Sequence, residues 1–213
     1  MFRDRIDAAQ RLIEKLKEHR IEDGIVLAVP RGGVPVGYEI AKALRLPLEI
    51  FLSKKIGHPN NPEFAIGSVT LNGTVVNENV MGADEEYITG QSKKILRELK
   101  ERFKTFMGNK KSTDLKGKTI ILTDDGVATG STLISAVESI RKSDPKKIII
   151  AVPVSPPETA RILKQLADEF ICLYTPSDFF GVGQYYYDFS QVEDEEVVQL
   201  LKHANNRQEK IIH

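Results

Sequence analysis

Tryptophan is absent and cysteine occurs once, at Cys172, in a chain of 213 residues. A lone cysteine excludes an intrachain disulfide, and a reducing cytoplasm is the expected setting. There is no surplus of either charge: Lys plus Arg number 30 and Asp plus Glu number 30. A general nucleic-acid binder carries a basic excess, so nucleic acid is not an expected partner. A small anionic substrate remains open, because a few local cations suffice for it. No apolar run approaches the ~18 residues that mark a membrane span. The start, Met1-Phe2-Arg3-Asp4-Arg5, has no apolar signal core. Neither a membrane nor export is expected. Internal repeats, low-complexity tracts and linkers are also missing, so a single domain over residues 1–213 is the simplest organisation.

What is present is an alternation of apolar patterns. Ile6 to Arg20 has helical spacing at Ile6, Ala9, Leu12, Ile13 and Leu16. Ile25 to Val29 is a short, continuous apolar run, as in a strand buried on both faces. Val34 to Leu44 reads as a helix with Pro35 in its first turn. Leu48 to Leu52 reads as a strand. Ser53 to Glu63 follows as a long polar loop, and Asn72-Gly73 joins Ile66–Leu71 to Thr74–Asn77 as a hairpin. Asp84 to Met107 is the longest predicted helix. Beyond it come Thr119–Thr123 (strand), Ser131–Lys142 (helix), Lys147–Val152 (strand), Pro156–Ala167 (helix), Phe170–Tyr174 (strand) and Glu193–His203 (helix). A polar, loose tail is expected over Asn205–His213. Strands alternating with helices predict an α/β fold, a parallel sheet flanked by helices. Ligands of such sheets sit at the carboxyl ends of the strands.

The most informative segment follows the strand at Thr119–Thr123. It reads Asp124-Asp125-Gly126-Val127-Ala128-Thr129-Gly130-Ser131-Thr132. Two carboxylates reach the sheet edge, and a hydroxyl-rich, glycine-containing bend then opens a helix. Backbone N–H groups at a helix start favour a phosphate. Carboxylates beside a phosphate repel it unless they accept hydrogen bonds or help hold a cation, and a phosphorylated sugar with a vicinal diol satisfies both halves. The plainer reading is a solvated turn with Ser and Thr as caps. A Walker A loop is excluded, because no Gly-Lys-Ser/Thr follows a Gly-x₄ spacer.

The other loops also read two ways. Pro30-Arg31-Gly32-Gly33 precedes a helix and fits either an ordinary turn or an anion cradle with a permanent cation. Lys54 and Lys55 belong either to a solvated basic loop or to a loop that closes over an anion. His58 beside them reads as a bystander. Of 9 Phe and 6 Tyr, six fall within Pro176–Phe189. They form either an aromatic wall for a planar group or a packed flap. Cys172, in an apolar run, reads as a buried structural thiol.

The acidic pair, bend and helix together resemble the 5-phosphoribosyl-1-pyrophosphate (PRPP) signature of type I phosphoribosyltransferases. The likeness extends through Phe2-Arg3-Asp4-Arg5, Pro30-Arg31-Gly32-Gly33-Val34-Pro35-Val36-Gly37 and Lys54-Lys55-Ile56-Gly57 to a poorly characterised group of predicted members. It implies that Asp124 and Asp125 bind the ribose hydroxyls and that Val127, Ala128, Thr129, Gly130, Ser131 and Thr132 hold the 5′-phosphate. Arg31, Gly32, Gly33, Lys54 and Lys55 would bind pyrophosphate, with Asp124, Asp125 and Arg31 serving catalysis. A cis peptide at Pro30–Arg31 is implied. So is a C-terminal hood in which Phe179, Phe180 and Tyr185 face the acceptor. The resemblance further implies Mg²⁺ carried by the substrate without a dedicated protein metal cage, a homodimer, and transfer of phosphoribosyl to a nitrogenous acceptor. A PRPP-binding regulator of the same fold is the alternative. Members that use 6-oxopurines commonly carry Asp where Ala128 stands, so alanine points toward the adenine and orotate branches without naming the acceptor.

Overall fold

The computed structural model describes residues 1–76 and 82–212, with side chains of the last helix described as far as residue 207. The chain runs α1 (Arg5–Leu16), β1 (Gly24–Ala28), α2 (Gly33–Leu44), β2 (Leu48–Ile50), β3 (Ser53–His58), β4 (Asn61–Thr70) and β5 (Gly73–Val76). It continues with α3 (Glu85–Met107), β6 (Thr119–Thr123), α4 (Ser131–Arg141), β7 (Lys147–Val154), α5 (Pro157–Leu166), β8 (Glu169–Tyr174) and α6 (Asp194–Ile212). A five-stranded sheet has the order β2-β1-β6-β7-β8. Its neighbours are all parallel.

The strand order explains where a ligand can sit. From β1 the chain moves outward to β2, and later returns to β6 on the other side of β1. The β1–β6 boundary is therefore the topological switch point, where the loops after two adjacent strands diverge and leave a crevice. β1 and β6 are buried along their whole length, as continuous apolar runs require. Val26, Ala28 and Ile121 face the layer of α1, α2, α3 and α6. Ile25, Leu27, Ile120 and Leu122 face α4 and α5. Gly37 lets α2 lie close on the sheet, since a Cβ there would stand 2.8 Å from Ala28 Cβ. On β2, buried Glu49 accepts from Thr113 N (3.1 Å) and Thr113 Oγ1 (2.9 Å), tying down the segment before β6.

Three expectations need correction. The first helix stops at Leu16, not Arg20. Its buried stripe ends there, and only exposed polar side chains follow in Lys17 and Glu18. Ser53–Glu63 is not a loop: β3 and β4 pair antiparallel from Ser53↔Thr70 to His58↔Asn61. Buried Ile56 and Ile66 anchor this hairpin beneath its polar surface. Its tip is closed by Asn60 N donating to His58 Nδ1 at 3.2 Å. The tail is helical, because α6 runs on to Ile212, with Ala204 packed against the core. β5 pairs with β4 across the expected Asn72-Gly73 turn; Asn77 lies outside the described residues.

Candidate active site

Two loops face each other at the switch point. After β1, the Pro30–Arg31 peptide is cis, Val29 N donates to Thr123 O (3.0 Å) and Gly33 N donates to Val29 O (3.0 Å). The loop presses on the acidic pair. A Cβ on Gly33 would lie 2.8 Å from Asp124 Cα, and one on Gly32 would overlap the Asp125 carboxylate. Only glycine permits this approach.

Across the crevice, the end of β6 is fixed by Thr123 Oγ1 donating to Ala151 O at 2.7 Å. Asp124 Oδ1 accepts from Asp125 N (2.8 Å). Asp125 Oδ2 accepts from Arg5 Nε (2.8 Å) in an ion pair whose side chains are each 12% exposed. Tyr186 OH donates to Asp125 O (2.6 Å). Burial raises the Asp124 carboxyl well above the usual range, and the charge of Asp125 adds to the rise. Burial also raises Asp125, but Arg5 opposes it there.

The bend is held by Val127 N donating to Val154 O (2.8 Å) and by Thr159 Oγ1 donating to Ala128 O (2.9 Å). Gly130 has φ +76° and leads into α4, whose start has no side-chain cap. Ala128, Thr129, Ser131 and Thr132 lie toward solvent, with the Thr129 and Ser131 hydroxyls 3.3 Å apart. Uncapped helical N–H groups with flanking hydroxyls suit a phosphate.

A cavity of about 360 Å³ adjoins these elements. It is lined by Val29 and Pro30, Thr132, Lys54, and Glu98 and Arg102 from α3. Lys54 Nζ pairs with Glu98 Oε2 at 2.6 Å. Lys55 pairs instead with Glu63 at 2.8 Å and is not among the cavity's lining residues. Arg31 is apart from the acidic pair, its Nη1 lying 3.5 Å from Asp194 Oδ1 at the start of α6.

The aromatic segment divides in two. Val182 and Tyr186 dock it: a Cβ on Gly126 would lie 2.5 Å from Val182 Cγ1, and Tyr186 is bonded to Asp125. Phe179 and Tyr185 stack on each other (centroids 5.8 Å apart), whereas Phe180 is 93% exposed. Cys172 is half-buried on the edge strand β8, and burial pushes its thiol up to about 11. Burial thus disfavours the thiolate, the reactive form.

Sequence reasoning missed Arg5, Tyr186, Glu98 and Arg102. Arg5 lies 120 positions from Asp125, and no local spacing announces such a pair. Glu98 and Arg102 sit one helical turn apart on α3, a spacing ordinary for any solvated helix face. Among the described residues, no cluster of three or more His, Cys, Asp or Glu side chains could hold a metal ion.

The family model for the phosphoribosyl transferase domain matches residues 2–190. The chain belongs to the phosphoribosyl transferase domain family. Two Mycobacterium tuberculosis proteins, whose names give the phosphoribosyl transferase assignment as provisional, are 37% identical to it over 209 residues. That match takes in 96% of this chain and 47% of theirs, so the chain spans about half the length of these curated relatives. The crystal structure of the protein TT1426 from Thermus thermophilus is 37% identical, with TM-score 0.86 over 95% of this chain and 98% of that one. A Neisseria gonorrhoeae structure, 13% identical with TM-score 0.50 over 95% of this chain and 98% of that one, shares the fold. No described helix is long and apolar enough to cross a membrane.

Proposed function

We propose that the chain is a phosphoribosyltransferase that binds Mg²⁺-PRPP and transfers its 5-phosphoribosyl group to a nitrogenous acceptor. One observation carries this reading: at a single switch point, an acidic pair, Asp125 buried and Asp124 half-buried, adjoins an uncapped helix start and a glycine loop. Asp124 and Asp125 accept from the ribose hydroxyls. The bend from Val127 to Thr132 donates N–H and hydroxyl groups to the 5′-phosphate. The 30–33 loop, with Lys54 beside it, takes the pyrophosphate.

In the reaction, a nitrogen lone pair of the acceptor bonds to C1′ while the C1′–O bond to pyrophosphate breaks and its electrons leave on that oxygen. The acceptor's surplus proton passes from its nitrogen to solvent water. Positive charge grows on the ribose ring and negative charge on pyrophosphate, so positioning and fixed charge do most of the work. Lys54 leaves Glu98 for the pyrophosphate oxygens, and the acidic pair keeps C1′ facing the acceptor. Mg²⁺, when bound with PRPP, would supply charge neutralisation at the pyrophosphate. The same reading treats residues 1–213 as one domain working as a homodimer in a reducing cytoplasm, the dimer resting on family resemblance.

The test is a pyrophosphate-release screen with PRPP, Mg²⁺ and a panel of nucleobases and amines. Release that depends on one acceptor and disappears in Asp124→Asn/Asp125→Asn supports the enzyme. Saturable PRPP binding with no release from any acceptor supports a non-catalytic sensor instead.

A further inference from the structure

The N-terminal arm reaches the acidic pair, and its attachment is built in detail. Phe2 N donates to Tyr185 O (2.8 Å), Tyr187 N to Phe2 O (2.9 Å) and Asp188 N to Arg3 O (2.9 Å). Phe2 is fully buried, with its ring 5.2 Å from that of Tyr186. The arm thus lies along the 185–188 segment as a short ladder and delivers Arg5 to Asp125. Three contacts fix the guanidinium: Nε on Asp125 Oδ2 (2.8 Å), Nη1 on Ser190 O (2.8 Å), and the Phe189 ring beneath it at 4.1 Å. Such a planar, stacked cation is rigid and permanently charged.

We propose that Arg5 is a positioning residue of the sugar site: its clamp fixes the Asp125 carboxylate against Gly32, so that the acidic pair can accept hydrogen bonds from a ribose diol. This rests on the phosphoribosyl reading above. Two adjacent carboxylates in one crevice resist ionising together. Sugar hydroxyls can donate, and an ionised carboxylate accepts from them more strongly than a neutral one. Arg5 supplies the opposing charge from the N-terminal arm, through its bond to Asp125 Oδ2. The titratable and charged groups around Asp125 are Arg5, Asp124 and Tyr186, with Asp4 and Asp188 flanking the arm. Arg31, from the facing loop, is directed to Asp194 instead. Among these groups, Arg5 is the cation bonded to the carboxylate.

The test compares wild type, Arg5→Gln and Arg5→Lys by calorimetric titration with Mg²⁺-PRPP from about pH 5 to about pH 8, the interval around shifted carboxylates. Loss of the clamp should move the midpoint of the affinity–pH profile upward by about one unit or more. Arg5→Lys keeps the charge but loses the fork and the stacking, so its midpoint should fall between those of wild type and Arg5→Gln. Pyrophosphate lacks the diol, so its affinity should not follow the shift. In parallel, ¹³C-carboxyl titration of ligand-free protein reads Asp125 directly, and its midpoint should rise in Arg5→Gln. An unshifted PRPP profile in Arg5→Gln, with binding retained, overturns the positioning role and leaves the sugar site standing. A wild type that binds no PRPP overturns both. Should Arg5→Gln not fold, Arg5→Lys decides: a midpoint displaced upward from wild type supports the clamp, and one that coincides with wild type refutes it.

Discussion

Replacing Gly33 by alanine probes how closely the two loops must approach. The added Cβ would lie 2.8 Å from Asp124 Cα and 3.0 Å from Thr123 O, both backbone atoms. Asp124 cannot retreat easily, because β6 is paired to β1 on one side and β7 on the other. The 30–33 loop must therefore move, by roughly half an ångström to one ångström if ordinary contact distances are to return. Overpacking of this kind costs about 1–3 kcal/mol. Alanine's better helix propensity at the start of α2 offsets up to about 1 kcal/mol of that. The net expectation is a loss of about 0–3 kcal/mol in urea unfolding. The larger effect should fall on binding: a shift near one ångström in a positioning loop costs up to about 100-fold. Gly90 is the control. It sits exposed in α3, and a Cβ added there would have nothing within 4 Å. Gly90→Ala should therefore stabilise by about 0.5–1 kcal/mol and leave PRPP affinity alone. If Gly33→Ala were as stable as Gly90→Ala and bound Mg²⁺-PRPP like wild type, the proposed contact between the loops would be wrong.

Tyr186→Phe removes the donor to the buried Asp125 carbonyl and should destabilise the fold by about 1–3 kcal/mol in the same unfolding assay. Asp124→Asn acts in the opposite direction. Burial and the neighbouring carboxylate raise its folded pKa above the ordinary 3.8. The folded state therefore holds this proton more tightly than the unfolded chain, and stability falls as pH rises through the interval above 3.8. The variant should gain stability at neutral pH and lose part of that slope in melts recorded against pH. Asp125 and Glu49, also raised by burial, keep the remainder. Lys54→Ala breaks only an exposed pair with Glu98, so melting should not change. Pyrophosphate affinity by calorimetry should drop by roughly tenfold or more, the usual effect of a lost charge-assisted hydrogen bond.

The sheet was legible because its central strands are buried on both faces. Ile25–Val29 and Ile120–Leu122 are uninterrupted apolar runs, too short for a helix of ordinary length. The β3–β4 hairpin was not legible. Only Ile56 and Ile66 mark its buried face, and the polar tip with Pro59 and Asn60 imitates a loop. The acidic pair and the bend stood out by residue type and order, and the switch point then gave them a common place. Their partners did not stand out. Arg5 and Tyr186 reach Asp125 through an arm and a C-terminal segment that come together only in three dimensions. The cis peptide followed from family resemblance, since nothing in Pro30-Arg31 by itself specifies it.

The acidic pair and the bend are proposed to grip one phosphorylated sugar between them. Calorimetric titration of the folded chain with PRPP and Mg²⁺ tests that directly. A saturable heat in wild type, lost in Asp124→Asn/Asp125→Asn while the melting transition persists, is the predicted result. No heat in wild type, or equal affinity in the double variant, would contradict it.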